Sequence, residues 1–168
     1  LEDHSHPAWQ RLKFEELLAQ QLSQLQARRE REAQRAPPFP TRPGGLQEAL
    51  LAALPFALTA AQRRVVEEIA LDLGREVPMQ RLLQGDVGSG KTVVAALAML
   101  HAVEAGHQAA LMAPTEVLAE QHAAGVRRLL DGVTVPDPGN LFGDRPLRVE
   151  LLTNRVTGGD RKDVLSGL

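Results

Sequence analysis

Gly85-Asp86-Val87-Gly88-Ser89-Gly90-Lys91-Thr92 fits the pattern G-x-x-x-x-G-K-[ST]. Each residue type answers a physical need. The glycines let backbone N–H groups converge on phosphate oxygens without Cβ interference. A helix opening near Gly90 turns its positive dipole end toward the same anion. Lys91 reaches β- and γ-phosphates, and the Thr92 hydroxyl ligates Mg²⁺. The run 81–84 before the motif reads as a short strand, and 90–105 after it reads as a helix stopped at Gly106. Strand, glycine-rich loop and helix form the context that separates a phosphate-binding loop from a chance turn.

Outward from the loop, the apolar run 109–113 suits a buried strand. Residues 116–130 read as a helix with Thr115 at its N-cap. Residues 133–145 form a Pro/Gly-rich loop, and 147–152 read as a third strand. Upstream, 46–54 and 60–73 are helical, closed by Pro55 and Gly74. Strand–helix–strand–helix–strand implies a parallel sheet with right-handed crossovers. The expected fold class is therefore α/β: a partial P-loop NTPase domain, a parallel sheet with flanking helices, preceded by a long N-terminal helix. With no later strands in the run, one sheet edge is expected to be exposed.

That N-terminal helix is expected over 7–34, capped by Ser5, with Pro7 in the first turn. Phe14, Leu18, Leu22 and Leu25 recur at helical spacing, with Leu17 beside them, an apolar stripe suited to a neighbouring domain. The run 36–45 contains four prolines and breaks regular structure, so it reads as an extended, semi-rigid linker. The expected division is 1–45 as connector and 46–168 as the nucleotide-binding domain.

Composition narrows the chemistry. The net charge of −2 excludes a strongly basic nucleic-acid coat, though not a local basic face. The absence of Cys excludes a disulfide framework, a thiolate zinc site and a Cys nucleophile. Aromatics are 3% of the chain, so the core must be aliphatic. No apolar run reaches the roughly 18 residues of a membrane helix, and residues 1–4 lack the features of a signal peptide. The default expectation is a soluble, cytoplasmic chain that starts inside a longer protein.

Two further segments carry chemistry. Thr59 and Gln62 form a capping box at the start of the 60–73 helix. The Gln62 amide also suits the donor–acceptor edge of adenine, and Phe56 is a rare aromatic able to lie on the base. Downstream, Ala113-Pro114-Thr115-Glu116-Val117-Leu118-Ala119-Glu120-Gln121-His122 follows the second expected strand. Ligands collect at such carboxyl ends in parallel sheets, where a Pro-Thr turn offers N–H groups and a hydroxyl to phosphate. His101, His107 and His122 lack metal spacing and read as surface or helix-end residues. The His4 and His6 pair offers at most a weak metal site and reads as a fraying terminus, while Arg127-Arg128 and Arg161-Lys162 read as solvated faces, with a basic DNA-facing role as the alternative.

Taken together, these residues resemble the RecG family of bacterial ATP-dependent DNA helicases in superfamily two. Residues 6–16, from His6-Pro7-Ala8-Trp9 to Phe14-Glu15-Glu16, look like the helix joining that family's wedge domain to its motor. Residues 54–62 are similar to its Q motif, 85–92 to its motif I, and 113–122 to its motif Ia. The transcription-repair coupling factor shares the Gly-Asp-Val-Gly start, but Ser89, Thr115-Glu116 and the 9–14 segment favour RecG. The resemblance implies a RecA-like first motor lobe over 46–168 and a wedge-to-motor connector over 1–45. It implies ATP and Mg²⁺ as cofactors, with Lys91 and Thr92 catalytic and Thr92 on the metal. Phe56, Gln62 and Gly85 to Thr92 would hold the nucleotide; Pro114, Thr115, Glu116 and Gln121 would face DNA. The implied partner is branched DNA, at stalled forks and Holliday junctions in repair and recombination, with the remaining wedge and motor domains in cis.

The chain departs from the family pattern in places. Residues 137–145 read as an extra surface loop, and Asn154 stands where the family usually carries Gly, which removes the expectation of a DNA-backbone role for that turn. No apolar run ends in the Asp-Glu of the family's acidic box, and no arginine finger or second lobe is present. The chain is thus expected to be a fragment, inactive alone. The competing reading is a non-motor regulatory or scaffolding P-loop module, from which an adenine-reading Gln62 would distinguish it.

Overall fold

The computed structural model describes residues 7–136, 143–156 and 158–166. Ser5, His4, His6 and most of the 137–145 loop lie outside the described residues. The elements are α1 (Pro7–Glu32), α2 (Leu46–Ala53), α3 (Ala60–Leu73), α4 (Lys91–Glu104), α5 (Glu116–Leu129), β1 (Thr134–Val135), β2 (Arg145–Pro146) and α6 (Gly158–Ser166). They fall into two units: residues up to Pro38 with Arg75–Gln80, and Phe39–Gly74 with Arg81 onward. No described helix is long and apolar enough to cross a membrane.

In the first unit α1 runs for 26 residues and buries no side chain. Pairs spaced i,i+4 line its polar side: Arg11–Glu15 at 2.7 Å, Gln26–Glu30 at 3.1 Å and Arg28–Glu32 at 2.8 Å. The Arg28 guanidinium, hydrogen-bonded to Glu32, holds that carboxyl below its ordinary range. Phe14, Leu17, Leu18, Leu22 and Leu25 are exposed. After the helix, Arg35 pairs with Glu76 at 2.9 Å and the Ala36 N–H donates to the Glu76 carbonyl at 3.1 Å.

The second unit is built around α4, which packs against α2, α3 and α5. Val93, Ala96, Leu97 and Leu100 of α4 join Leu46 and Leu50 of α2, Leu58, and Val126, Leu130, Val133 and Val135 from the α5–β1 region in one aliphatic core. In a chain so poor in aromatics this cluster is made of Leu, Val and Ala alone, so it depends on close packing of aliphatic side chains.

The strands differ from expectation. β1 and β2 pair antiparallel, Thr134 opposite Pro146 and Val135 opposite Arg145, inside the stretch read as loop. The runs 81–84, 109–113 and 147–152 carry no strand, and no backbone hydrogen bonds join them among the described residues. Apolar pattern encodes burial, but a strand exists only where a neighbour completes its ladder. Without that ladder, Leu82 stays 83% and Met112 92% exposed. The 147–152 run is tied instead to other segments: the Leu147 N–H donates to the Val133 carbonyl at 3.2 Å and Arg127 Nε to the Val149 carbonyl at 2.9 Å. Arg127 is exposed, as read, and it also ties this run to α5.

Leu97 has no exposed surface at the middle of the core. Leu97→Ala is expected to destabilise the second unit by about 2–5 kcal/mol, transfer and cavity terms together. Denaturant unfolding followed by circular dichroism measures this, and a loss below about 1 kcal/mol would place the core elsewhere.

Candidate nucleotide site and a second cleft

The loop 85–90 gets its shape from two left-handed glycines. Gly88 has φ +82° and Gly90 φ +80°, a region that L side chains enter only with strain. Between them the Ser89 N–H donates to the Asp86 carbonyl at 3.1 Å and tightens the turn. Gly90 is the N-cap of α4, so Lys91 and Thr92 are its first two residues. Backbone N–H groups there lack intrahelical acceptors and sit at the positive end of the helix. Lys91 Nζ donates to the Gly85 carbonyl at 2.7 Å and the Asp86 carbonyl at 2.8 Å, folding its charge over the loop.

Helix α3 frames this loop from both sides. At its start the capping box is present: Gln62 N–H donates to Thr59 Oγ1 at 3.2 Å, and Thr59 N–H to Gln62 Oε1 at 2.8 Å. The other end of the same amide, Nε2, donates to the Ser89 carbonyl at 2.8 Å. A Cβ on Gly90 would collide with that Nε2. At the far end of α3, Arg81 Nε donates to Asp72 at 2.6 Å and its Nη1 to Glu68 at 2.7 Å, fixing the run that leads into the loop. These two carboxylates, Asp72 foremost, hold the guanidinium above its ordinary range. Gln62 and 85–92 are thus brought together. Phe56 is 49% exposed, and no hydrogen bond or ring contact ties it to the loop among the described residues.

A second site is an open cleft of about 320 Å³. Its walls combine Pro114, Thr115 and Glu116 with Leu152–Asn154 and Arg161. Thr115 caps α5, its Oγ1 accepting from the Leu118 N–H at 3.3 Å. Arg155 bridges Glu116 at 3.3 Å and Glu120 at 3.2 Å. Gln121 is exposed on α5 and does not line the cleft. Asn154 does line it, although the sequence reading set that turn aside. The 147–152 tie to α5 and the Arg155 bridge bring 152–154 to the Pro-Thr turn, long-range contacts with no local sequence signal.

Residues 59–160, more than half of the chain, match the DEAD/DEAH box helicase family. The chain belongs to that family. Curated relatives within it are ATP-dependent DNA helicases RecG. The Escherichia coli O157:H7 protein is 57% identical over 167 residues, covering 99% of this chain and 24% of the relative. That of Acidithiobacillus ferridurans is 49% identical over 96% of this chain and 23% of the relative. That of Mycobacterium tuberculosis is 44% identical over 94% and 21%. A solved structure of RecG bound to a three-way DNA junction superposes with a TM-score of 0.64 at 48% identity, covering 73% of this chain and 17% of that one. The chain therefore spans about a quarter of the length of the RecG relatives it matches, and its fold is the RecA-like helicase fold.

The two ends of the Gln62 amide make separate contacts, the oxygen within the cap and the nitrogen with the loop. Gln62→Glu keeps the oxygen that accepts from Thr59 but loses the donor to Ser89. It is expected to leave α3 stability within about 0.5 kcal/mol while weakening nucleotide binding about tenfold. Thermal melting and nucleotide titration on one preparation test this. Undiminished affinity would leave Gln62 a helix cap and nothing more.

Proposed function

We propose that the chain is the front part of the first motor lobe of an ATP-dependent DNA helicase that remodels branched DNA, such as stalled forks and Holliday junctions, in repair and recombination. The observation that carries this is the loop 85–92 folded at the N-terminus of α4 in a chain 57% identical to a RecG helicase over nearly its whole length. Residues 1–45 are the wedge-to-motor connector and 46–168 the lobe, with the remaining wedge and motor domains supplied in cis. The runs 81–84, 109–113 and 147–152 pair as a parallel sheet in the complete lobe, which covers their exposed apolar side chains. Its place of work is the cytoplasm, where bacterial DNA lies.

The residues present fit ATP with Mg²⁺. A Cβ at Gly85 would meet Ser89 Oγ at 2.7 Å and one at Gly90 would meet the Gln62 amide, so either would push a side chain of the loop out of place, and at Gly90 the positive φ itself favours glycine. Bound ATP supplies the phosphoanhydride whose hydrolysis drives the motor. Lys91 exchanges its two carbonyl contacts for phosphate oxygens, placing a point charge where negative charge accumulates. The first N–H groups of α4 bind the same oxygens. Thr92 offers its hydroxyl as a metal ligand, Gln62 turns its amide to adenine, and Phe56 lies against the base. Pro114, Thr115, Glu116 and Gln121 face the DNA strand beside the cleft, where Thr115 and backbone N–H groups bind phosphates.

Two outcomes test the reading. Lys91→Ala in the full-length helicase is expected to lower ATP turnover at least about 10²-fold with an unchanged circular dichroism spectrum, because a charge is lost and no core contact. Normal turnover in that folded variant would refute the phosphate role. The 168-residue chain alone is expected to bind nucleotide without DNA-stimulated phosphate release. An arginine from a second lobe is by itself worth about 10³–10⁵ in rate. DNA-stimulated release by the isolated chain would show that its catalytic parts are complete.

A further inference from the structure

The Pro-rich run contains a residue that no motif claims, Phe39. Its N–H donates to the Leu73 carbonyl at 2.8 Å, and its carbonyl faces His101 Nε2 at 2.7 Å. Its ring lies on that of His107, centroids 4.9 Å apart. His101 is 2% exposed, which corrects its reading as a surface or helix-end residue. Its Nδ1 lies 2.6 Å from Gln47 Nε2 on α2. A carbonyl can only accept, so Nε2 carries the proton and Nδ1 accepts from the Gln47 amide. Three residues on, Glu104 Oε1 accepts from the Leu46 N–H at 3.1 Å, capping α2 where Gly45 has no side chain to do so. A Cβ on Gly45 would collide with that carboxylate.

One face of the last turn of α4 therefore grips 39–47, while its first turn carries Lys91 and Thr92. At 1.5 Å per residue these ends stand about 20 Å apart. The stretch between them is packed core, so the helix moves as a rod and not as a hinge.

We propose that His101 is a positioning residue that couples the phosphate-binding end of α4 to the 39–47 strap, through which the chain coming from α1 enters the lobe. Movement of α4 at the nucleotide is thereby passed to Phe39 and Gln47. The proposal rests on the motor reading above. It goes beyond that reading by assigning transmission to a buried side chain that touches neither nucleotide nor DNA.

The test uses the full-length helicase. ATP KM, ATP turnover and unwinding of a three-way DNA junction are measured on the same preparations. His101→Asn retains a polar group near Gln47 but is too short for the Phe39 carbonyl, whereas the longer His101→Gln places an N–H donor there. His101→Asn is expected to keep KM and turnover within about twofold yet unwind about fivefold fewer junctions per ATP, the scale of one net hydrogen bond. His101→Gln is expected to restore the yield. If turnover and unwinding fall together, with yield per ATP unchanged, His101 only supports packing and the proposal is overturned. If His101→Asn does not fold, Gln47→Leu removes the side-chain donor to His101 Nδ1, and so breaks the link to the strap, at a residue outside the aliphatic core. The same loss of yield is expected in it, and an unchanged yield overturns the proposal. An unsubstituted protein with neither turnover nor unwinding refutes the motor reading and this proposal together.

Discussion

The burial of one helix, α4, is the constraint on which the second unit depends. Its first residues must stay open at the loop to leave N–H groups free, yet Val93 through Leu100 must be sealed from water. Those demands divide the helix along its length. Gly90 and Lys91 begin it at the surface, and within one turn Val93 and Val94 are already buried. Helices α2, α3 and α5 surround it because only aliphatic packing on several sides can bury so much of a helix in a chain this poor in aromatics. Displacing α4 would therefore disturb the core and the phosphate loop at once.

The loop turns without backbone strain, and its geometry is held by neighbours. Both residues at positive φ beside Ser89 are glycines, which enter that region freely, so contacts from outside the loop fix which conformation it keeps. Gln62 supplies one such contact through the Ser89 carbonyl, and the Arg81 bridge to Asp72 and Glu68 supplies another upstream. Both belong to α3. A single glutamine thus serves the helix cap with its oxygen and the loop with its nitrogen. The two requirements demand opposite ends of an amide, which neither Glu nor Lys can supply.

Much of this was legible in the sequence because it is local. Helical period, the Thr59/Gln62 box, the Thr115 cap and the G-x-x-x-x-G-K-T spacing each depend on residues within one or two turns, and all appear where expected. The strands were not, because a ladder needs a partner that no local pattern supplies. β1 and β2 were hidden by the Pro/Gly content of their stretch. His101 was misread by residue type, although its position was informative. It stands four residues after Leu97 and seven after Val94, on the stripe that forms the core. Periodicity placed it inside, and only the habit of assigning histidine to surfaces placed it outside. α6 escaped notice because nothing in 158–166 alternates between apolar and polar with helical period.

Charge at the cleft follows the same logic of local pairing over global balance. A chain of net charge −2 repels a polyanion at long range, but screening limits that repulsion to about 10 Å at 0.1 M salt. Within that distance the composition of the cleft wall decides. Glu116 and Glu120 stand one turn apart on α5, where two bare carboxylates would repel each other and any phosphate nearby. Arg155 reaches both, at 3.3 and 3.2 Å. This bridge adds little stability, since all three groups keep contact with water. Its effect is on the field: one guanidinium beside two carboxylates halves their charge, and Arg161, which also lines the cleft, offsets the remainder. A cation placed beside an acidic pair thus changes the local field without changing the balance of the whole chain, and total composition cannot record where it stands.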